Sequence, residues 1–150
     1  MDRVERYFEQ VKWLPQEIKE LELRMKYIRE QADSISSVPF DRDLVSGTRD
    51  NRSKHERMIL KLSEMEQEVA RKMELNLELQ AQMDLVISRL ESRQDQQVLR
   101  LHYLHNMKWE RIGLIMNCAG KTAQRWCELA LSRVSLPADA LFIEEIEELA

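Results

Sequence analysis

Glycine and proline are nearly missing from this 150-residue chain, which has three of each. Tight corners depend on them, so a sandwich, a barrel or a doubly wound sheet has too few turns to be built. Aromatic residues amount to only 6%. The two cysteines, Cys118 and Cys127, make neither a disulfide framework nor a zinc quartet. No apolar run approaches the ~18 residues of a membrane span. The first residues, Met1-Asp2-Arg3-Val4-Glu5-Arg6, lack the apolar stretch and cleavage site of a signal peptide. Also missing are GxSxG, HExxH, a Walker loop and GxGxxG, while the carboxylates are spread over helix faces. No feature of the sequence points to an enzyme. His102 and His105 lie three residues apart with no carboxylate or thiolate at ligand spacing, so neither a metal nor another cofactor is expected. The expectation is a soluble, cytoplasmic, all-α protein without a membrane partner.

What the chain does have is charge and helix formers. Charged residues make up 33%, and Glu, Gln, Leu, Arg, Lys and Met dominate the composition. The overall charge of −4 is unevenly divided: −3 over residues 1–91, +4 over 92–136 and −5 over 137–150. A basic island between acidic segments fits a small nucleic-acid module with helices attached. Ordinary clustering produces such an island too, so charge alone does not decide.

Periodicity divides the chain into three domains. In residues 1–91, Val4, Tyr7, Val11, Leu14, Ile18, Leu21, Met25, Ile28, Ala32 and Ile35 follow steps of three and four, the seam of a long helix that wants a partner. Pro15 falls inside this seam without disturbing its register, which predicts a kink. Residues 34–53 lose the period and are expected to form a long loop. A second seam runs through Met58, Leu62, Met65, Val69, Lys72, Asn76, Leu79, Met83, Val86 and Leu90. At about 1.5 Å per residue both seams span roughly 50 Å, the proportions of an antiparallel hairpin. Lys72 and Asn76 interrupt the second seam, where a polar residue typically fixes register or oligomeric state. Room therefore remains for a homodimer.

In residues 92–136 the helices become short: 93–105, 108–116 and 120–134. Asn117-Cys118-Ala119-Gly120 makes a tight turn before the last, with Asn and Gly available for left-handed backbone. Three short helices with such a turn are the helix-turn-helix pattern. Val98, Leu101, Leu104, Trp109, Ile112, Met116, Ala123, Trp126, Ala130 and Val134 are the expected core, with Gly113 letting two helices approach. Lys121, Thr122, Gln124 and Arg125 are left facing outward on the third helix. Such side chains reach base edges when the N-terminal end of a recognition helix enters the major groove. Lys108, Arg111 and Arg133 are expected to hold phosphates. An ordinary solvated helix face would look similar. Residues 137–150, opened by Pro137, form a final acidic helix that must face away from DNA, meet a partner or mask the basic island.

Val98-Leu99-Arg100-Leu101-His102-Tyr103-Leu104, Trp109-Glu110-Arg111-Ile112-Gly113 and Ala130-Leu131 resemble region 4 of bacterial sigma factors. Over nearly its whole length the chain resembles the ArpU/RinA-like late transcription regulators of phages and prophages. That likeness rests on the heptad helix, the Ser46–Asp50 loop, the second long helix and Tyr103…Lys108-Trp109-Glu110. It implies binding of double-stranded DNA at phage promoters and contact with host RNA polymerase. The chain departs from the pattern at Ala119-Gly120, where Ser or Thr usually caps the recognition helix, and nothing resembles sigma region 2. A phage DNA-packaging recognition protein and a helical interaction protein that binds no DNA are the alternative functions.

Overall fold

The computed structural model describes residues 2–36 and 47–149, with side-chain environments at 2–34 and 53–149. Its described residues are mostly helical, with no strand among them. Two long helices, α1 (Arg3–Ser36) and α2 (Gly47–Ser88), precede α3 (Arg93–Leu99), α4 (Trp109–Met116), α5 (Gly120–Arg133) and α6 (Ile143–Leu149). No described helix is long and apolar enough to cross a membrane. The helices overrun the expected loop: α1 reaches Ser36 and α2 begins at Gly47, so only residues 37–46 of it fall outside the described residues. Once nucleated, a helix adds polar turns without needing an apolar face, so loss of period is a poor marker of its end. α1 also continues through Pro15.

Two compact units divide the chain. One comprises residues 16–74 and is an antiparallel pair of helices. Its core is Ile18, Met25 and Ala32 of α1 with Leu62, Met65 and Val69 of α2, all buried and all on the anticipated seams. Lys72, only 6% exposed, sits among them. Its ammonium donates to Glu17 Oε2 at 3.1 Å, so the polar interruption of one seam is answered by a carboxylate from the other helix. Arg29 and Glu66 pair at 3.0 Å on the surface.

The other unit joins the residues up to Pro15 to everything from Leu75 onward. The expected boundary at residue 91 is therefore not where compactness divides. Tyr7, Phe8, Val11, Leu79, Met83, Val86 and Ile87 share one core with Val98, Leu99, Tyr103, Ile112, Ala123, Cys127, Ala130 and Val134. Phe8 lies off the seam yet is fully buried, its ring 5.0 Å from that of Tyr103. Arg100 fastens α3 to α2 through Asp84 at 2.8 Å and Ser88 at 2.7 Å.

The C-terminal segment belongs to this core. The final helix starts at Ile143 and not near Pro137, because the backbone before it is held by side-chain amides. Gln10, 3% exposed, donates to the Leu141 carbonyl at 2.9 Å and accepts from the Ile143 amide at 2.7 Å. Gln82 accepts from the Leu141 amide at 2.9 Å and the Tyr7 hydroxyl at 2.9 Å, and donates to the Asp139 carbonyl at 3.0 Å. Between these clamps Phe142 is buried against Tyr7, with the guanidinium of Arg3 4.9 Å from its ring centre. Truncation after Leu136 removes this aromatic and the fully buried Ile143. Emptying a single aromatic site costs about 3–5 kcal/mol, so the truncated protein should melt well below the full chain in a circular-dichroism scan. An unchanged melting temperature would refute the structural role of the segment.

Candidate nucleic-acid interface

The candidate site is built on the turn between α4 and α5. Ile112 and Gly113 bury one face of α4 against Ala123, Cys127 and Ala130 of α5. A Cβ on Gly113 would lie 2.5 Å from the Cys118 carbonyl oxygen and 3.2 Å from the Gly120 nitrogen, so only glycine lets this turn close. Asn117 ends α4 in the left-handed region at φ 58° and ψ 48°. Gly120 needs no such freedom, since none of the described glycines has positive φ. A Cβ there would stand 3.4 Å from the backbone of Trp109 and Glu110, an ordinary van der Waals contact, so the turn does not demand glycine at this position.

The first short helix departs from the anticipated face. After Leu99 it widens into a π turn over Arg100–Leu104, in which the His105 amide reaches back to the Arg100 carbonyl at 2.9 Å. One added residue rotates the rest of the helix by about 100°. Leu99, which precedes the π turn, and Tyr103, four residues on, are fully or nearly fully buried, whereas the expected Leu101 and Leu104 are only half-buried. The helix ends with Asn106 at φ 50° and the Met107 amide bonded back to the Leu101 carbonyl. Trp109 and Trp126 are half-buried and pack on the core, and Cys118 is half-buried as well.

The four base-reading candidates are together on the first two turns of α5. Lys121, Gln124 and Arg125 are exposed and Thr122 is half-exposed. No acid lies in the first turn, and Ala119 at the N-cap position makes no side-chain bond to the helix amides. Glu128, also exposed, stands one turn beyond Gln124 and Arg125 and closes the cationic stretch. Lys108, at the N-cap position of α4, and Arg111 are exposed.

Arg133 is exposed too, and in addition it is paired. Its Nη1 donates to both carboxylate oxygens of Asp95, at 3.0 and 2.9 Å. Asp95 is 2% exposed, in the first turn of α3, where Ser92 caps the helix by accepting from the Asp95 amide. This pair ties α5 to α3, while the Arg133 side chain stays 56% exposed. A buried aspartate cannot be recognised from spacing alone.

A polar cluster that the sequence pattern does not reveal lies behind the module. Lys12 of α1 donates to His102 Nε2 at 2.6 Å and lies 5.0 Å over the Tyr103 ring. That bond requires a neutral imidazole accepting at Nε2. The His102 ring stacks on Trp109 at 3.9 Å and 17°. Burial, then the Lys12 charge, push the His102 pKa down from 6.5 to about 4. Burial likewise pushes the Cys127 thiol up to about 12, and Cys127 shares a hydrogen bond with Tyr103. A buried protonated thiol is a poor nucleophile. Among the described residues no cluster of His, Cys, Asp and Glu is placed to hold a metal ion.

Arg133→Ala leaves Asp95 buried without its cation and should destabilise the protein by about 1–3 kcal/mol, read by urea unfolding. Arg111→Ala should be nearly neutral in the same assay; equal behaviour of the two would contradict the assignment. The unfolded chain protonates His102 near pH 6.5 and the folded one only near 4. Its contribution to stability is therefore complete above pH 6.5 and lost as pH falls from there towards 4. Thermal melts of His102→Gln should lose that part of the pH dependence, and an unaltered profile would exclude it.

Compared with protein-family models, with curated proteins and with solved structures, the chain matches none.

Proposed function

We propose that the chain is a sequence-specific DNA-binding transcription regulator that inserts α5 into the major groove. The observation that carries this reading is the exposed α5 face. Lys121, Gln124 and Arg125 stand there with half-exposed Thr122, on a helix fixed by close packing at Gly113 and preceded by an uncapped turn. Arg and Lys match guanine edges, Gln matches adenine, and Thr meets base or phosphate. Lys108 and Arg111 supply phosphate contacts that set orientation without reading sequence. The open amides at the start of α5 favour a phosphate as well. Resemblance to sigma region 4 and to phage late regulators extends this reading to phage promoters and to work alongside host RNA polymerase.

The test is binding to a selected duplex and to scrambled duplexes across a salt series. Arg125→Ala should cost about 1–3 kcal/mol on the selected site and relax discrimination at one position. Lys108→Ala should weaken all duplexes alike and lower the salt slope by about one. Wild-type binding by Arg125→Ala on both kinds of duplex would remove α5 as the reading helix.

A further inference from the structure

In the unit of residues 16–74, α1 and α2 enclose an open groove of about 240 Å³. Tyr27, Ile28, Lys54, Arg57, Met58 and Lys61 line it. Its floor is apolar: Ile28 and Met58 are half-buried, and the Tyr27 ring is 62% exposed. Its rim is cationic. Lys54, Arg57 and Lys61 recur at spacings of three and four, which puts them along one side of α2, and all three are exposed. No acid is among the described residues that line the groove.

The complementary surface is carried by the same chain. In α6, Ile143-Glu144-Glu145-Ile146-Glu147-Glu148-Leu149, the acids Glu144, Glu145 and Glu148 are exposed, and Leu149 is 90% exposed. Residues 137–150 contain no cation. We propose that the groove receives α6 of a second copy of this chain, with Leu149 on the Tyr27–Met58 floor and the glutamates on Lys54, Arg57 and Lys61. A nucleic-acid backbone would satisfy the three cations but leave the apolar floor uncovered, whereas α6 offers the exposed Leu149 together with charge. Each chain holds one groove and one acidic helix, so the contact is heterologous: it closes when reciprocated between two copies or around a ring. The surfaces are small, so association is weak and sensitive to salt. This inference does not depend on DNA binding.

Sedimentation of the full chain over a concentration series tests it. Two charge reversals are compared: Lys54→Glu/Arg57→Glu/Lys61→Glu in the groove, and Glu144→Lys/Glu145→Lys/Glu148→Lys in α6. All six side chains are exposed, and circular dichroism checks the fold of each variant. The wild type should associate, and the association should weaken at least about tenfold between roughly 0.1 M and 1 M salt, where the screening length falls from ~10 to ~3 Å. Each reversed variant alone should remain monomeric. An equimolar mixture of the two should associate again, because each then meets its opposite charge. A monomeric wild type, a groove variant that associates normally, or a mixture that stays monomeric would overturn the proposal.

Discussion

A three-helix module the size of residues 92–136 buries too little apolar surface to be secure by itself. This limit governs the arrangement of its surroundings. The module extends its core into the first turns of α1 and the last turns of α2, where Tyr7, Phe8, Leu79, Met83 and Ile87 are all buried. The C-terminal segment closes the same core with Phe142 and Ile143. Because that segment is not helical before Ile143, its backbone groups need partners, and the amides of Gln10 and Gln82 provide them. The long helices thus do two jobs at different levels. One stretch pairs helix with helix, and the other completes the fold of the short helices.

The same arrangement sorts the basic residues. Arg100 is tied to Asp84 and Ser88, Arg133 to Asp95, and Lys12 to His102, while Arg3 and Arg6 lie over Phe142. These cations hold the protein together. Lys108, Arg111, Lys121 and Arg125 are exposed on α4 and α5, so the positive charge of the basic island is concentrated at the start of those two helices.

The seams are legible in the sequence because a sustained period of three and four survives any choice of partner, and Lys72 stands out as its interruption. Gly113 and Asn117 are legible because a tight turn leaves few residue types that fit. Phe8 and Ile87 are not, since a helix that meets several neighbours buries more than one stripe and period analysis reports the dominant one. The first short helix buries Leu99 and Tyr103 where Leu101 and Leu104 are expected, and no residue type announces the π turn that begins after Leu99. At the candidate interface, the outward face of α5 can be read from the sequence. The pairing of Arg133 cannot, because it depends on Asp95 being buried 38 residues earlier in the chain.

The pairing of Lys72 with Glu17 has a consequence for how the helical pair assembles. Heptad seams permit sliding, because most apolar side chains fit one repeat away nearly as well. Moved by one heptad, Lys72 would meet Arg24 in one direction and the uncharged Gln10 in the other. Either slip takes the facing carboxylate away from a buried ammonium, which disfavours it relative to the native register. The landscape therefore has one deep register where an all-leucine seam would offer several. A single lysine placed in the apolar seam acts as a proofreading step on the alignment of two helices.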